Sequence, residues 1–156
     1  MNIPDQLLIF SIDKTQYAIH LQAVERVVPA VEIRPLPEGP DSVTGVINVQ
    51  GRVIPVLNIR RKFRLHEREI GLDDSIVIVK GSKWDVAFAV DSVSGVIERS
   101  DEEIISSGKI LPGMEHTEGV VKIGDDIVFL HDIYKALLFE EKDKLNKVME
   151  KNETAA

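Results

Sequence analysis

Four histidines are the first candidates for chemistry in this chain of 156 residues, which contains no cysteine. None stands at the spacing of a metal-binding motif, and the chain has no nucleophile elbow, P-loop or dinucleotide-binding glycine motif. His131 and Asp132 are adjacent, and neighbours in a strand project to opposite faces, so they could not form a catalytic pair there. We therefore predict no metal, no cofactor and no catalytic residue. An enzyme acting through His131 or Asp132 is a distant alternative, because it would need a pocket that gathers polar groups.

A basic segment from Arg52 to Arg68 is the second candidate. Six basic residues stand against one acid, Glu67, so the segment carries +5. The whole chain carries −7, which leaves −12 for the remainder. An overall negative charge opposes binding to nucleic acid or to an anionic membrane. Aromatic residues, which stack on bases, make up only 5%. A solvated or protein-facing surface is the favoured interpretation. A nucleic-acid-binding β-barrel that uses the 52–68 segment is the alternative function.

Strands are the elements that would position these residues. Val and Ile number 37 against 12 Leu, and β-branched side chains favour pleated sheets. Short apolar or alternating runs predict four or five strands in each half of the chain. The longest apolar runs are only a few residues, so no transmembrane span is predicted. A sparse apolar stripe over 138–156 predicts a C-terminal helix whose last residues fray.

The two halves of the chain match each other. A shift of 69 residues aligns 9–28 with 78–97, and a shift of 74 aligns 45–59 with 119–133. The change of shift falls in a loop, where insertions are tolerated. Any two β-rich stretches could align by chance, but the aligned glycines and the shared order of elements favour a repeat. The sequence therefore predicts two similar small β-barrels side by side.

The repeat predicts one domain, 1–137, made of two lobes at about 1–74 and 75–137, between which strands could be exchanged. A groove between two lobes is a preferred place for binding. Six β-branched residues occupy equivalent positions in the two halves: Val24, Val27, Val28, Val93, Val96 and Ile97. They would either line this groove or form plain core. An exposed apolar groove without catalytic groups is typical of a protein-binding surface.

Residues 45–60 read GVINVQGRVIPVLNIR, with a tight turn predicted at the second glycine. This segment resembles the signature of CheW-type chemotaxis coupling proteins. The resemblance extends from residue 7 to about residue 138. The match is most specific in five residues taken together: Gly45, Asn48, Gly51, Pro55 and Val56.

The resemblance implies an all-β fold of two pseudo-repeated, five-stranded SH3-like barrels around a shared apolar core, and no enzymatic activity. Such proteins bridge the cytoplasmic tip of methyl-accepting chemoreceptors and the regulatory domain of the histidine kinase CheA. The kinase contact joins a barrel to the kinase's own CheW-like domain, and we assign no kinase-binding residues. We expect a cytoplasmic adaptor, recruited to membrane-associated receptor arrays, with no cofactor, no nucleic acid and no direct membrane insertion.

Carried over by position, the resemblance places seven residues at or near the receptor groove between the barrels: Val24, Val27, Gly45, Asn48, Gln50, Val93 and Val96. Two positions depart from the family pattern. The family usually has Arg where this chain has Gln50, and Arg26 stands where an acid is often found. Gln50 keeps hydrogen bonding but loses the charge, and Arg52 could compensate for it. The exchanged polarity suggests the hypothesis of a different receptor class.

Overall fold

In the computed structural model, the described residues are 5–37, 42–81, 84–100, 103–106 and 117–131. Their strands, in chain order, are β1 Asp5–Ile12, β2 Thr15–His20, β3 Val24–Pro29, β4 Val43–Val49, β5 Arg52–Leu57, β6 Ser75–Val79, β7 Val86–Val90, β8 Ser92–Arg99, β9 Ile104–Ser106, β10 Thr117–Ile123 and β11 Asp126–His131. A 3₁₀ turn at Leu21–Ala23 and a short helix, α1 at Ile59–Lys62, complete this part of the chain. The all-β prediction is confirmed, whereas the helix predicted at 138–156 lies outside the described residues.

The strands form two sheets. The first has the order β8-β1-β2-β11-β10-β9 and the second has the order β3-β6-β7-β5-β4. We call the first sheet and its contents the first lobe, and the second sheet and its contents the second lobe. The two sheets share the same five-strand plan, and β9 is an additional edge strand of the first lobe. Two lobes of five-stranded design were expected from the sequence.

The internal repeat is preserved in strand order, register and irregularities. The repeat maps β8-β1-β2-β11-β10 of the first lobe onto β3-β6-β7-β5-β4 of the second, strand for strand. Val96 lies opposite Leu8 in the first lobe, and the equivalent Val27 lies opposite Val77 in the second. Register shifts also recur at equivalent places, before the glycines of β4 and β10. Chance alignment of β-rich stretches would not reproduce these features, so the repeat is structural.

Each lobe contains a hairpin from the opposite half of the chain. The β1–β2 hairpin lies between β8 and β11, and the β6–β7 hairpin lies between β3 and β5. The joins to β11 and β5 are parallel, whereas the hairpins themselves are antiparallel. Both sheets therefore draw strands from each side of residue 74, and neither sheet can form from one repeat alone.

Three clusters of buried side chains make up the core. The first lobe encloses Leu7, Ile9, Ala18, Val121, Val128 and Leu130. The second lobe encloses the six equivalent residues Ile76, Ile78, Ala87, Ile47, Ile54 and Val56. A larger central cluster, with Leu8, Phe10, Ile19, Val77, Val79 and Phe88 among its members, joins the two lobes. The rings of Phe10 and Phe88 meet across the lobes with centroids 5.6 Å apart. The predicted shared apolar core is therefore present.

Two equivalent glycines permit a close approach between neighbouring segments. A Cβ atom on Gly45 would lie 2.4 Å from the carbonyl oxygen of Arg34, which bridges to β4. A Cβ atom on Gly119 would lie 2.5 Å from the carbonyl oxygen of Ile105 in β9. Both distances are far below van der Waals contact, so only glycine fits without movement of the backbone.

An ion network connects the lobes at one end of the central cluster. Arg60, in α1 of the second lobe, is buried and donates from Nη1 to Asp13 and from Nη2 to Asp91, each at 2.9 Å. Arg68 binds Asp91 as well and donates from Nη1 to Asp74 at 3.0 Å. Burial raises the pKa of Asp91, but hydrogen bonds from the Asp13 amide and from both guanidinium groups outweigh burial and hold that pKa below its usual range. The network thereby fixes the β1–β2 turn against the second lobe.

Replacing Arg60 with Ala should lower the free energy of unfolding by about 1–3 kcal/mol, because a buried guanidinium is lost, Asp13 loses its ion-pair partner and Asp91 keeps only Arg68. Urea unfolding would measure the loss. Arg64→Ala, at an exposed position of the same basic segment, is the control and should change stability by less than about 0.5 kcal/mol. Equal stabilities of the two variants would show that the network does not hold the lobes together.

Gly45→Ala and Gly119→Ala should destabilise the protein by similar amounts, about 1–3 kcal/mol each, because each new methyl group meets a backbone carbonyl. Gly71→Ala is the matched control, since the nearest atom to its Cβ position is 3.9 Å away. Thermal unfolding of the three variants tests this expectation. A tolerated Gly45→Ala beside a disruptive Gly119→Ala would contradict the structural equivalence of the two positions.

Candidate functional site

The outer valines of the two edge strands continue the central cluster to the surface. Val27 on β3 is directly opposite Val77, and Val96 on β8 is directly opposite Leu8. Directly opposite residues of an antiparallel pair project from the same face. Val77 and Leu8 belong to the central cluster, so both valines lie on the face that meets the opposite lobe. Val27 is 38% exposed and Val96 is 47% exposed, which leaves apolar surface open at this junction.

The inner valines of the same strands lie deeper. Val24 and Val93 are half-buried and pack against the central cluster. The choice between core and groove that the sequence left open for six residues therefore has a divided answer. Val28 and Ile97 pack against the interior clusters of the second and first lobes. The inner pair seals the junction between the lobes, and the outer pair is accessible to a partner. We call these four residues the valine surface.

The other three predicted site residues lie on the β4–β5 hairpin of the second lobe. Gln50 and Gly51 both have positive φ, 52° and 84°, and form its two-residue turn. Asn48 stabilises this turn, because its Oδ1 accepts a hydrogen bond from the Gly51 amide at 2.9 Å. The side chain of Gln50 is exposed at the tip. Gly45 is buried in β4, where the absence of a side chain lets the backbone of Arg34 approach and bridge to the hairpin.

An ion triad stands between the hairpin and β3. The guanidinium of Arg52, directly after the turn, binds both carboxylate oxygens of Glu25 and one of Asp85. The hydrogen bond from Arg52 lowers the pKa of Glu25 to about 2. Burial and the neighbouring Glu25 raise the pKa of Asp85. Sequence reasoning missed the triad because its members are 27 and 33 residues apart and match no motif.

The sequence suggested that Arg52 could compensate for the charge missing at Gln50, but the structure arranges the positive charges near the hairpin tip differently. Arg52 does not replace the missing charge at Gln50 as a free cation, because two carboxylates already surround it. Arg26, next to the triad on β3, is exposed. Within the described ranges no ion pair of Arg26 is present. Arg26 on the edge strand is therefore an accessible cation near the triad, and Arg34, which bridges to β4, is a second exposed arginine beside the hairpin.

The basic segment does not form a continuous phosphate-binding surface. Arg52, Arg60 and Arg68 are each bound by two aspartate or glutamate side chains. Their charge is neutralised within the protein, and Arg60 is buried besides. Phosphate binding depends on cations that can release counterions. This arrangement speaks against the nucleic-acid alternative.

The histidines do not form a catalytic site in the described part of the chain. His131 is buried and stacks on Phe63, with ring centroids 4.4 Å apart, and it also lies against Tyr17. Burial raises the pKa of Tyr17. Asp132 lies outside the described residues. His20 is half-buried, and its Nδ1 contacts the Asp5 carboxylate.

Comparison with known proteins gives a consistent result over most of the chain. A family model described as the CheW-like domain matches residues 6–140. A chemotaxis protein CheW of Treponema pallidum is 28% identical over 146 residues, which cover 90% of this chain and 86% of the relative. A chemotaxis protein CheW of Thermotoga maritima is 28% identical over 132 residues, covering 85% and 87%.

A solved structure supports the same assignment. The crystal structure of the scaffolding protein TtCheW from Thermoanaerobacter tengcongensis superimposes with a TM-score of 0.74 at 27% identity, covering 83% of this chain and 90% of that one. None of the helical segments in the described part of this chain has the length and apolar character needed to span a membrane. The fold of two SH3-like lobes and the match over residues 6–140 together show that the chain belongs to the CheW-like domain family, whose members are non-enzymatic chemotaxis scaffold proteins.

Proposed function

We propose that this chain couples the cytoplasmic tips of methyl-accepting chemoreceptors to the histidine kinase CheA. The observation that carries the proposal is the valine surface, where two equivalent edge strands leave apolar side chains open at the junction of the lobes. Exposed apolar surface rimmed by polar residues is typical of a protein interface. A helical receptor tip that lies along this junction would cover Val27 and Val96 together.

The hairpin supplies the polar side of the proposed receptor site. Asn48 is committed to the turn, so its contribution is to hold the tip in place. Gln50 offers an exposed amide that can donate and accept hydrogen bonds. Gly45 acts on the site indirectly, through the packing that it allows beneath the hairpin. The seven positions thus divide into apolar contacts, a polar contact and structural support.

The outer faces of the two lobes support the proposed contact with the kinase. Val53 at the start of β5 is 51% exposed, and the equivalent Ile127 at the start of β11 is 54% exposed. Equivalent apolar positions on both lobes suit a partner that is itself a CheW-like domain, because either lobe can meet a similar lobe of the kinase. We propose that these faces bind the CheA regulatory domain.

The proposed adaptor acts without chemistry of its own. It can change kinase activity only through unequal affinity for the states of the kinase and of the receptor. Such a role requires that one chain hold both partners at once. The junction of the lobes and the outer face of the first lobe at Ile127 are different surfaces, which permits simultaneous binding, whereas Val53 lies directly opposite Asn48 on the hairpin of the proposed receptor site. We place the protein in the cytoplasm, at membrane-associated receptor arrays.

Isothermal titration calorimetry with the purified CheA regulatory domain of the same organism is the first test. We expect a complex of micromolar or tighter affinity. Val53→Asp or Ile127→Asp should weaken binding about tenfold or more, because a charge would enter an apolar contact. Leu72→Asp, at another highly exposed apolar position, is the control. If the wild-type chain does not bind, the kinase part of the proposal is wrong. If the Leu72 control weakens binding as much as the other variants, these lobe faces are not the interface.

A charge on the valine surface should selectively disrupt receptor binding. Val96→Arg should weaken binding of a receptor tip fragment about tenfold or more, because the guanidinium would have to be desolvated in an apolar contact. The melting temperature should shift by no more than about 2 °C, since Val96 is half-exposed. Ile105→Arg, at a position with 43% exposure on β9 and outside the valine surface, is the matched control.

Pull-down and calorimetry against the receptor fragment provide the affinities, and thermal unfolding provides the stability. Loss of folding in Val96→Arg would show that this valine is core rather than binding surface. Equal losses of affinity in Val96→Arg and Ile105→Arg would show that the receptor does not recognise the junction of the lobes.

A further inference from the structure

The tip of the β4–β5 hairpin has little backbone support. In the part of the chain that the structure describes, β5 pairs with β7 only at Val56 and Leu57, at the far end of the strand. The residues around the turn pair only with each other, from Asn48 opposite Val53 to Val49 opposite Arg52. The exposed polar positions of the proposed receptor site therefore lie on a two-stranded ribbon, from which Val49 packs against the interior cluster of the second lobe.

The ion triad connects this ribbon to the opposite edge of the same sheet. In the second lobe, β6 and β7 lie between β3 and β5. Three strand spacings correspond to about 14 Å in a flat sheet. The sheet curls, so that Arg52 of β5 reaches the carboxylate of Glu25 on β3, with Nη2 to Oε2 at 3.1 Å. Asp85, directly before β7, accepts a further hydrogen bond from Nη2 of the same guanidinium.

The other lobe provides an internal comparison. The residue equivalent to Arg52 is Asp126, and the residue equivalent to Glu25 is Ser94. No ion pair between these two can form, yet the first lobe has the same strand order and register. The repeated fold therefore does not require the triad. It occurs only in the lobe whose hairpin carries the proposed polar contact to the receptor.

We propose that Arg52 is the positioning residue of the receptor site, holding the tip of the β4–β5 hairpin against β3 through Glu25 and Asp85. This inference rests on the proposed receptor-binding function. The triad joins the strand that bears Val24 and Val27 to the ribbon that bears Asn48 and Gln50. A fixed distance between the apolar and polar parts of the site lowers the entropy cost of binding.

Because the triad is partly exposed to solvent, it can position the hairpin while contributing little to the stability of the whole protein. The side chain of Arg52 is 50% exposed, and Glu25 and Asp85 are 24% and 21% exposed. Ion pairs at such a level of exposure are screened by water and salt and contribute little to global stability. A bidentate guanidinium still restricts geometry, because its planar donors fix the carboxylate orientation. Loss of Arg52 should therefore loosen the ribbon without unfolding the protein.

Hydrogen exchange on the free, full-length protein tests the positioning directly. In Arg52→Gln, the amides of residues 48–53 should exchange about tenfold faster than in the wild type, while amides of β6 and β7 keep their protection. Asp126→Asn, at the equivalent position of the other hairpin, is the matched control and should leave residues 48–53 unchanged. Unchanged exchange of these amides in Arg52→Gln would overturn the proposal.

A double-mutant cycle with the receptor tip fragment tests the consequence for binding. Arg52→Gln should lower affinity about tenfold and Glu25→Gln by less, because Asp85 still holds Arg52; the double variant should be little weaker than Arg52→Gln alone, because Arg52 takes part in both contacts. Arg52→Lys keeps the charge but loses the planar fork, so its affinity should lie between those of the wild type and Arg52→Gln. Melting temperatures should stay within about 2 °C throughout.

The outcomes distinguish this inference from the proposed function. Failure of the wild-type chain to bind the receptor fragment would overturn the proposed function. Binding by the wild type together with unchanged affinity in Arg52→Gln would leave the proposed function standing and overturn the positioning role. Additive effects of the two glutamine substitutions would also overturn it, because they would show that Arg52 and Glu25 act separately.

Discussion

The reciprocal exchange of hairpins is the constraint on which the remaining structure depends. Each sheet needs a central hairpin from the opposite repeat, and without it the neighbouring strands would expose unpaired backbone groups. The same hairpins supply both the lobe clusters and the central cluster, since alternate residues face opposite sides of a sheet. Leu7 and Ile9 fill the first lobe, whereas Leu8 and Phe10 fill the junction. Folding of either lobe is therefore coupled to folding of the other, and the distance between the lobes is fixed by packing.

The proposed binding surface follows from this exchange. Strand β8 pairs only with β1 of one exchanged hairpin, and β3 pairs only with β6 of the other, so within the described strands both are edge strands of their sheets. Their inner valines complete the central cluster, and their outer valines have no further layer to cover them. A partner at the junction extends an existing apolar core rather than creating a new one. Because the repeat places the same residue types on both edges, the apolar part of the site is nearly symmetric.

Much of this could be predicted from the sequence. Alternation of apolar residues, the aligned glycines and the turn at Gln50 and Gly51 predicted the repeat, the hairpins and the shared core, because these depend on local patterns. Which strands pair across the repeats depends on contacts between distant residues, so the sequence left it open. The ion pairs were beyond reach for the same reason, and Arg60 and Arg68 looked like exposed basic residues. The sequence also could not show that Val24 packs against the core while Val27 remains accessible, because this depends on which strand β3 pairs with.

The β4–β5 and β10–β11 hairpins differ in the side chains at their tips, and this difference distinguishes two lobes whose folds are otherwise alike. Asn48, Gln50 and Arg52 have the equivalents Lys122, Gly124 and Asp126, so the two tips differ in polarity although their strands superimpose in register. In the β4–β5 hairpin the arginine stands at position 52, at the start of β5, and not at position 50 in the turn. Glu25 and Asp85 neutralise its charge there. The tip thus presents a neutral amide, and accessible cations lie beside it at Arg26 on the edge strand and at Arg34 next to β4. Recognition by such a site would depend on shape and hydrogen bonding at the hairpin, and on charge beside the valines.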